Sequence, residues 1–337
     1  MIKKVMTAVI NYDHPQRGMA QAFEGVFGRA NVMDFDHCKL REQNHGNVGH
    51  VNSLFLDRVR EFRPDWIWLQ LQMTETIMPD AILEARKIVP HCVISHWMGD
   101  CRASIAPYLA SICKTTHLTL VSNTGQLQSY RDVGASVAKY LQIGVDWEED
   151  VMGAMPWPGG FRVPEVVLLG HHYGASYPGT RQREQAVADL IAAGVDVGVI
   201  GNGWPSWARS VGSCHVKQQY HVWTKAKVGL CVNNFNDVEL HYSDRQLIAM
   251  ASGTPIVCYK VPGLETEFIN GVHCLMYRTT EELVAAVKSL LANEWFRRQV
   301  GAAGRAEIMR SHTWWSRIFQ VLPEIEKIQL SLSAPVV

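Results

Sequence analysis

The sequence predicts an α/β protein with two Rossmann-like domains that face each other across a cleft. Short apolar runs alternate with amphipathic helical stretches through both halves of the chain. These runs lack a strict apolar/polar alternation, which is typical of parallel strands buried on both faces of a sheet. An acidic stretch followed by Pro and Gly breaks the rhythm between Asp146 and Pro164 and indicates an interdomain linker.

The first domain is expected within residues 1–150. Its apolar runs predict strands at Val5–Ile10, Val32–Phe35, Trp66–Leu71, Val93–His96, Leu118–Val121 and Lys139–Ile143. The periodic stretches between them predict helices at Met19–Phe27, Val51–Phe62, Ala81–Ile88, Ala103–Cys113 and Gly125–Asp132.

The second domain is expected within residues 165–311, where the alternation restarts. Strands are predicted at Val166–Gly170, Val195–Ile200, Val228–Val232, Pro255–Tyr259 and Cys274–Tyr277. Helices are predicted at Arg181–Ala193, Asp244–Ala251, Thr280–Ala292, Trp295–Ser311 and Trp314–Ile328. The last of them lies in residues 312–337, a segment that we expect to cross back toward the first domain.

Composition limits the classes of function. Among 337 residues, Lys and Arg together balance Asp and Glu, so the formal net charge is zero. No basic excess points to nucleic acid, and no apolar run is long enough for a membrane span, so we expect a cytosolic protein. The eight cysteines form no CxxC pair, which favours reduced, buried thiols and no metal site.

Ligands of open α/β sheets bind at the carboxyl ends of the strands, and one such segment is especially informative. Asn233–Val257 reads as strand, polar loop, helix, Gly turn and strand. Ser243 is a plausible N-cap for a helix that begins at Asp244, and a helix N-terminus is a ready anion site. Arg245 adds a planar fork suited to a diphosphate, although it could instead pair with Asp244 or Asp237.

Three further segments are candidates for the same site. Gly201 and Gly203 follow a strand and would allow close backbone approach to a ligand, with Trp204 as a wall, although a plain turn explains them as well. Lys217 and Arg183 could both reach phosphate, and a solvated lysine is the alternative for Lys217. Around Lys217, His215 and Val216 open a loop before a helix.

The donor segment resembles the C-terminal half of spore-maturation-like glycosyltransferases of the GT-B fold. The resemblance spans roughly Gly170 to Phe319 and is carried by Tyr242-Ser-Asp-Arg245, Ala251-Ser-Gly253, Val261-Pro-Gly-Leu-Glu265, Glu281-Glu-Leu283, Gly301-Ala-Ala-Gly-Arg305 and His312-Thr-Trp314. It implies a nucleotide-sugar co-substrate, expected to be a UDP-sugar. No metal or other cofactor is expected, because positive charge and helix dipoles would stabilise the leaving diphosphate. The implied donor contacts include Tyr242, Ser243, Asp244 and Arg245, and a loop at His215–Lys217 that holds the base through its backbone.

One position departs from that pattern. Many relatives have a Glu in this helix that binds the ribose hydroxyls, whereas the corresponding residue here is Ile248, which cannot accept a hydrogen bond. Glu239 or Glu265 could supply the ribose contact instead.

The first domain is expected to bind the acceptor through the loops after its first and fourth strands. The candidate base is Asp100, followed by Asp13 and His14, because Asp and His can take a proton from a hydroxyl. A His14–Asp100 pair would look like the arrangement in some plant-type GT-B enzymes, and the alternative is that Asp100 caps the next helix. The expected acceptor contacts are Tyr12, Arg17, Gly18, Trp97 and Arg102, of which the two arginines could also steady the departing diphosphate.

These two loops also resemble a subgroup of phage-type glycosyltransferases. The resemblance rests on Asn11-Tyr-Asp13, Pro15-Gln-Arg-Gly18 and Trp97-Met-Gly-Asp-Cys-Arg102. It implies an acceptor hydroxyl on hydroxymethylated pyrimidines of DNA and, if the chain is phage-encoded, a location in the host cytoplasm. The zero net charge of the chain counts against a DNA acceptor, because binding to duplex DNA usually requires a basic face. A cell-surface glycan, a small metabolite or a protein is the alternative acceptor.

Three other functions differ in the residues that they require. A sugar-nucleotide epimerase would need acid/base pairs around a single sugar and no acceptor. A dinucleotide-dependent oxidoreductase is disfavoured, because Gly-x-Gly-x-x-Gly does not follow the first strand. A binding protein that keeps the fold without catalysis is compatible with Ile248.

Overall fold

The chain forms two compact units, each of which is an α/β domain with a parallel sheet. A computed structural model describes residues 2–11, 16–146, 155 and 162–334. The first unit comprises Met1–Ile143 together with Trp314–Val337, and the second comprises Gly144–Thr313. Most of the predicted linker, residues 147–154 and 156–161, lies outside the described residues. The two parallel sheets confirm the predicted fold class.

The first unit has a six-stranded sheet in the order β2-β1-β3-β4-β5-β6, with every neighbouring pair parallel. Its strands are β1 (Val5–Ala8), β2 (Val32–Asp34), β3 (Trp66–Leu69), β4 (Val93–Met98), β5 (Leu118–Val121) and β6 (Ala138–Tyr140). Its helices are α1 (Arg17–Phe27), α2 (His37–Gln43), α3 (Val48–Phe62), α4 (Pro79–Ile88), α5 (Pro107–Thr115), α6 (Leu127–Asp132) and, from the chain's end, α12 (Trp314–Ser333).

Helices cover both faces of this sheet, which is why its strands read as continuous apolar runs. On one face, apolar side chains of β1, β3, β4 and β5 form a core with α1 and α12. On the other face, the core includes residues of α3 and α4. The ring centroid of Trp314 lies 5.1 Å from that of Trp97 and 6.3 Å from that of Trp68, so the first turn of α12 is fixed by aromatic contacts.

The second unit has a five-stranded parallel sheet in the order β11-β10-β9-β7-β8. Its strands are β7 (Val166–Leu169), β8 (Val197–Ile200), β9 (Val228–Cys231), β10 (Ile256–Tyr259) and β11 (Leu275–Tyr277). Its helices are α7 (Gly179–Ala192), α8 (Gln219–Lys225), α9 (Asp244–Ala251), α10 (Thr280–Ala292) and α11 (Glu294–Ser311). In the described ranges, no helix has the length and apolar character that a membrane crossing needs.

Two helices of the first unit differ from the prediction. The helix expected at Ala103–Cys113 begins only at Pro107, because proline suits the first helical position and disfavours helical geometry in the residue before it. Helix α2 was not predicted, although Asp36 marks its start: the Asp36 carboxylate accepts a hydrogen bond from the Lys39 amide at 2.9 Å.

We expect the first unit to lose stability in acid because of His96. This β4 side chain is fully buried, and burial lowers its pKa from 6.5 to about 4. The unfolded chain therefore binds a proton below pH 6.5 that the folded chain refuses until about pH 4. At pH 5 this costs about 2 kcal/mol of unfolding free energy. Urea unfolding of wild type and His96→Leu at pH 7.5 and 5 measures it, and an equal pH dependence in both would contradict the assignment.

Candidate active site

The predicted donor residues lie on the loops after β7, β8, β9 and β10, at the carboxyl edge of the second sheet, and on the helices that follow these loops. Two of these loops are joined through their backbones: the Gly170 amide donates to the Ile200 carbonyl at 2.9 Å, and the His172 amide to the Asn202 carbonyl at 2.8 Å. The Trp204 indole donates to the Gly170 carbonyl at 2.8 Å. Trp204 is therefore anchored to the β7 loop and supports the edge of the site.

The glycines of the β8 loop are needed for this close approach. A Cβ on Gly201 would lie 2.1 Å from the Gly170 carbonyl oxygen, and one on Gly203 would lie 2.4 Å from that of His172. Gly203 also has a φ of +83°, a conformation that other residues rarely adopt. The predicted glycine turn is thus a structural requirement of the edge.

Replacing Gly203 with alanine is expected to destabilise the second unit and weaken donor binding. The strained φ and the contact with His172 together should cost about 2–4 kcal/mol. Gly212 is the matched control, since it has a φ of +92° and nothing within 4 Å of its would-be Cβ. Thermal unfolding of both variants tests the contact, and equal losses in Gly203→Ala and Gly212→Ala would show that the close approach is unimportant.

The first turn of α9 carries Arg245, as predicted. Ser243 occupies the N-cap position in an extended conformation, but its side chain makes no capping hydrogen bond; its amide instead donates to the Asn233 side-chain oxygen at 3.1 Å. The Asp244 carboxylate accepts from the Arg245 amide at 2.8 Å. Within the described part of the chain, the guanidinium of Arg245 has no hydrogen bond or ion pair.

A second arginine lies behind this turn. Arg183 on α7 is buried, and its guanidinium donates to the carbonyls of Val232 at 2.9 Å and His171 at 3.0 Å. Burial, and then the positive charge of Arg245, lower its pKa to about 10. The two guanidinium groups thus repel each other at one end of β9, and a bound anion would relieve that repulsion.

His241 adds to this electropositive edge. Burial, with the charges of Arg245 and Arg183 as further causes, lowers its pKa to about 4, so the imidazole is neutral at pH 7. Its ring lies 6.0 Å from that of Phe235 in the β9 loop. Nothing in the local sequence marks His241, because only the fold shows that the charges of both arginines lower its pKa.

Two exposed carboxylates flank the site on loops that pair with each other. The Leu240 amide donates to the Pro262 carbonyl at 2.9 Å, which joins the loop of Glu239 to that of Glu265. Glu265 is 53% exposed, with the Lys260 amine 3.8 Å away. Ile248 is buried within α9, so at that position the helix presents no hydrogen-bond acceptor to a ligand.

The predicted base-binding loop forms a turn held by its own residues. The His215 amide donates to the Gln218 side chain at 2.8 Å, and the Lys217 amide to the His215 ring at 3.2 Å. Val216 begins the short 3-10 turn that leads into α8, and its side chain lies outside the described set.

Tyr242, like Arg183, is a predicted donor residue whose side chain is buried. Its side chain is only 2% exposed, and its hydroxyl donates to the Glu267 carboxylate. Because this side chain is buried and its hydroxyl is bonded to Glu267, the fold does not present Tyr242 to a ligand.

The first unit carries the candidate acceptor residues. Asp100 lies after β4, is 58% exposed, and pairs with Arg102 at 3.1 Å. It does not cap the next helix, since the N-cap of α5 is Ala106. Arg17 is exposed at the start of α1, next to Gly18, which is buried. Tyr12, Asp13 and His14 lie outside the described residues.

Trp97 does not occupy the position that the sequence predicted. Only 1% of it is exposed, and its indole donates to the Leu141 carbonyl at 2.9 Å. It stacks on Trp68 within the core, because α1 and α12 cover that face of β4 up to the strand's end. Trp97 is a core residue rather than an acceptor contact.

A cavity of about 200 Å³ at the end of β1 contains residues that the sequence analysis missed. It is lined by Thr7, Val9, Asn11, Gln16, Arg17, Met19, Ala20 and Asp34. The Thr7 hydroxyl donates to the Asp34 carboxylate at 3.0 Å. Burial raises the pKa of Asp34, so this carboxylate is a stronger base than an ordinary aspartate.

Among the described residues, we find no group of three or more His, Cys, Asp or Glu side chains that could hold a metal ion.

Residues 181–323 match a family model described as glycosyl transferase-like. No curated protein matches the sequence.

Solved structures match over nearly the whole chain. HepE from Anabaena, solved with UDP and glucose, has a TM-score of 0.63 at 11% identity over 97% of this chain and 100% of its own. A glycosyltransferase from Rickettsia africae has a TM-score of 0.63 at 8% identity, covering 97% and 98%. Sucrose-phosphate synthase from Thermosynechococcus elongatus has a TM-score of 0.59 at 13% identity, covering 98% and 100%.

These similarities show a GT-B fold. Within this fold, residues 181–323 carry the domain that the family model describes as glycosyl transferase-like.

Proposed function

We propose that the protein transfers a sugar from a UDP-sugar to an acceptor hydroxyl. The observation that carries the proposal is the position of Arg245 in the first turn of α9, where its guanidinium has no hydrogen bond or ion pair within the described residues, close to the buried positive charge of Arg183. A diphosphate would neutralise both and accept hydrogen bonds from the first turn of α9. The choice of UDP is supported by structures of HepE from Anabaena that contain UDP or UDP-glucose.

The donor site is assigned as follows. The diphosphate binds Arg245 directly. Arg183 attracts it through its positive charge without a direct contact, because the Arg183 guanidinium already donates to two backbone carbonyls. Backbone groups of His215–Lys217 hold the base, and Glu239 or Glu265 accepts from the ribose hydroxyls in place of the helix position that Ile248 occupies.

In the transfer step, the acceptor oxygen forms a bond to the anomeric carbon while the bond from that carbon to the diphosphate oxygen breaks. The acceptor's proton passes to a base, for which Asp100 is proposed, with Asp13, His14 and Asp34 as the other candidates. The departing diphosphate gains negative charge, which Arg245 and the dipole of α9 stabilise.

For the acceptor, the proposal retains hydroxymethylated pyrimidine DNA, supported only by the resemblance of the two N-terminal loops to phage-type glycosyltransferases. The zero net charge of the chain favours a small or neutral acceptor instead. Both are therefore included in one test.

The test measures UDP release and product mass with a panel of UDP-sugars. Each is incubated with hydroxymethylcytosine DNA, hydroxymethyluracil DNA, unmodified DNA, glycans or small alcohols, or no acceptor. A hexose- or pentose-sized mass gain on one acceptor is the expected result. A changed sugar without any acceptor would indicate an epimerase, and donor binding without turnover on any acceptor would indicate a non-catalytic binding protein.

A further inference from the structure

A buried polar network lies beneath the donor helix. Tyr242, immediately before the first turn of α9, donates its hydroxyl hydrogen bond to Glu267. The same Glu267 oxygen lies 3.6 Å from Nδ1 of His312, whose Nε2 lies 3.7 Å from a Glu307 oxygen. The side chains of Glu267, His312 and Glu307 are only 12%, 4% and 8% exposed.

The network joins three parts of the second unit that are distant in sequence. Glu267 follows the β10 loop, Glu307 is on α11, and His312 directly follows α11. His312 is also fixed by its surroundings: its ring stacks on Phe268 at 4.7 Å, and its carbonyl accepts from the Val145 amide at 2.8 Å. Tyr242 packs edge-on against the same Phe268 ring at 5.6 Å.

We propose that Glu267 is a positioning residue: braced by His312, its carboxylate fixes Tyr242 and thereby the first turn of α9 that presents Arg245. This inference rests on the proposed function for its link to donor binding. Breaking the hydrogen bond to a carboxylate that is only 12% exposed is costly, so the arrangement of Tyr242, Glu267 and His312 resists displacement. Preorganisation of Arg245 lowers the entropic cost of binding a diphosphate.

The test compares Tyr242→Phe, Glu267→Gln and the double variant with wild type. Hydrogen exchange of a peptide covering residues 240–250 should become about 10-fold faster in the single variants. The donor KM should rise about 5- to 20-fold while kcat stays within about twofold, because the reacting groups are untouched. The double variant should be no worse than the more affected single variant, since both changes remove one hydrogen bond.

Tyr277→Phe is the matched control, because the Tyr277 hydroxyl is buried in the same unit without a hydrogen-bond partner among the described residues. It should change neither exchange at residues 240–250 nor the donor KM. If wild type binds no nucleotide, the proposed function fails, but hydrogen exchange still tests the positioning. Unchanged exchange in Tyr242→Phe and Glu267→Gln, or faster exchange spread evenly over the unit, would overturn the inference.

Discussion

Arg245→Ala is expected to lower kcat/KM for the nucleotide sugar by about 100-fold or more. The variant removes the half-exposed guanidinium that is proposed to bind the diphosphate. A bidentate, charge-assisted hydrogen bond of this kind contributes about 3 kcal/mol. Arg245→Lys should lose about 10-fold, since an ammonium keeps the charge without the planar fork. Steady-state UDP release against donor concentration measures both effects.

The control for this prediction is Arg298→Ala. Arg298 is 77% exposed on α11, where it pairs with Glu294 at 2.5 Å, so its loss removes one positive charge from the same unit away from the site. We expect unchanged kinetics for it. Wild-type kcat/KM in Arg245→Ala would show that the diphosphate binds elsewhere.

Asp100→Asn is expected to lower kcat by about 100- to 10,000-fold while leaving the donor's dissociation constant unchanged. An amide of the same shape cannot take the proton from the acceptor hydroxyl, and general base catalysis contributes an effect of this size. Single-turnover rates at saturating donor, together with calorimetric titration of UDP, separate the two quantities.

The matched control is Asp57→Asn. Asp57 is similarly exposed (54%) on α3 of the same unit, and it pairs with Arg60 at 2.8 Å as Asp100 does with Arg102. It should retain wild-type kcat. If Asp100→Asn also retains it, the proton passes to another group, and the same experiment is then repeated on Asp34, Asp13 and His14.

Two features of the candidate donor site could be predicted from the local sequence. The helix bounds of α9 and the first-turn position of Arg245 match the structure because they depend on local pattern alone. Close packing of the glycine turn against the β7 loop was compatible with the sequence but not specified by it. The charges that Arg183 and His241 add depend on which loops neighbour β9 in the sheet, and strand order is not a local property.

The errors also have physical causes. Trp97 precedes the end of β4 by one residue, which suggested exposure at the edge, but helices cover its face of the sheet. Tyr242 lies three residues before Arg245 in sequence, which suggested a ligand contact, but its hydroxyl donates a hydrogen bond to Glu267. The contact between Thr7 and Asp34 arises because these residues are paired between β1 and β2, a register that no local motif encodes.

We propose that the carboxyl edge of the second sheet binds a nucleotide diphosphate through Arg245, and a crystal structure of the protein with UDP would show this contact. We expect diphosphate oxygens within hydrogen-bonding distance of the Arg245 guanidinium and the first-turn amides of α9, with the base beside His215–Lys217. UDP bound at another edge of either sheet, or at this edge without contact to Arg245, would rule out this role of Arg245.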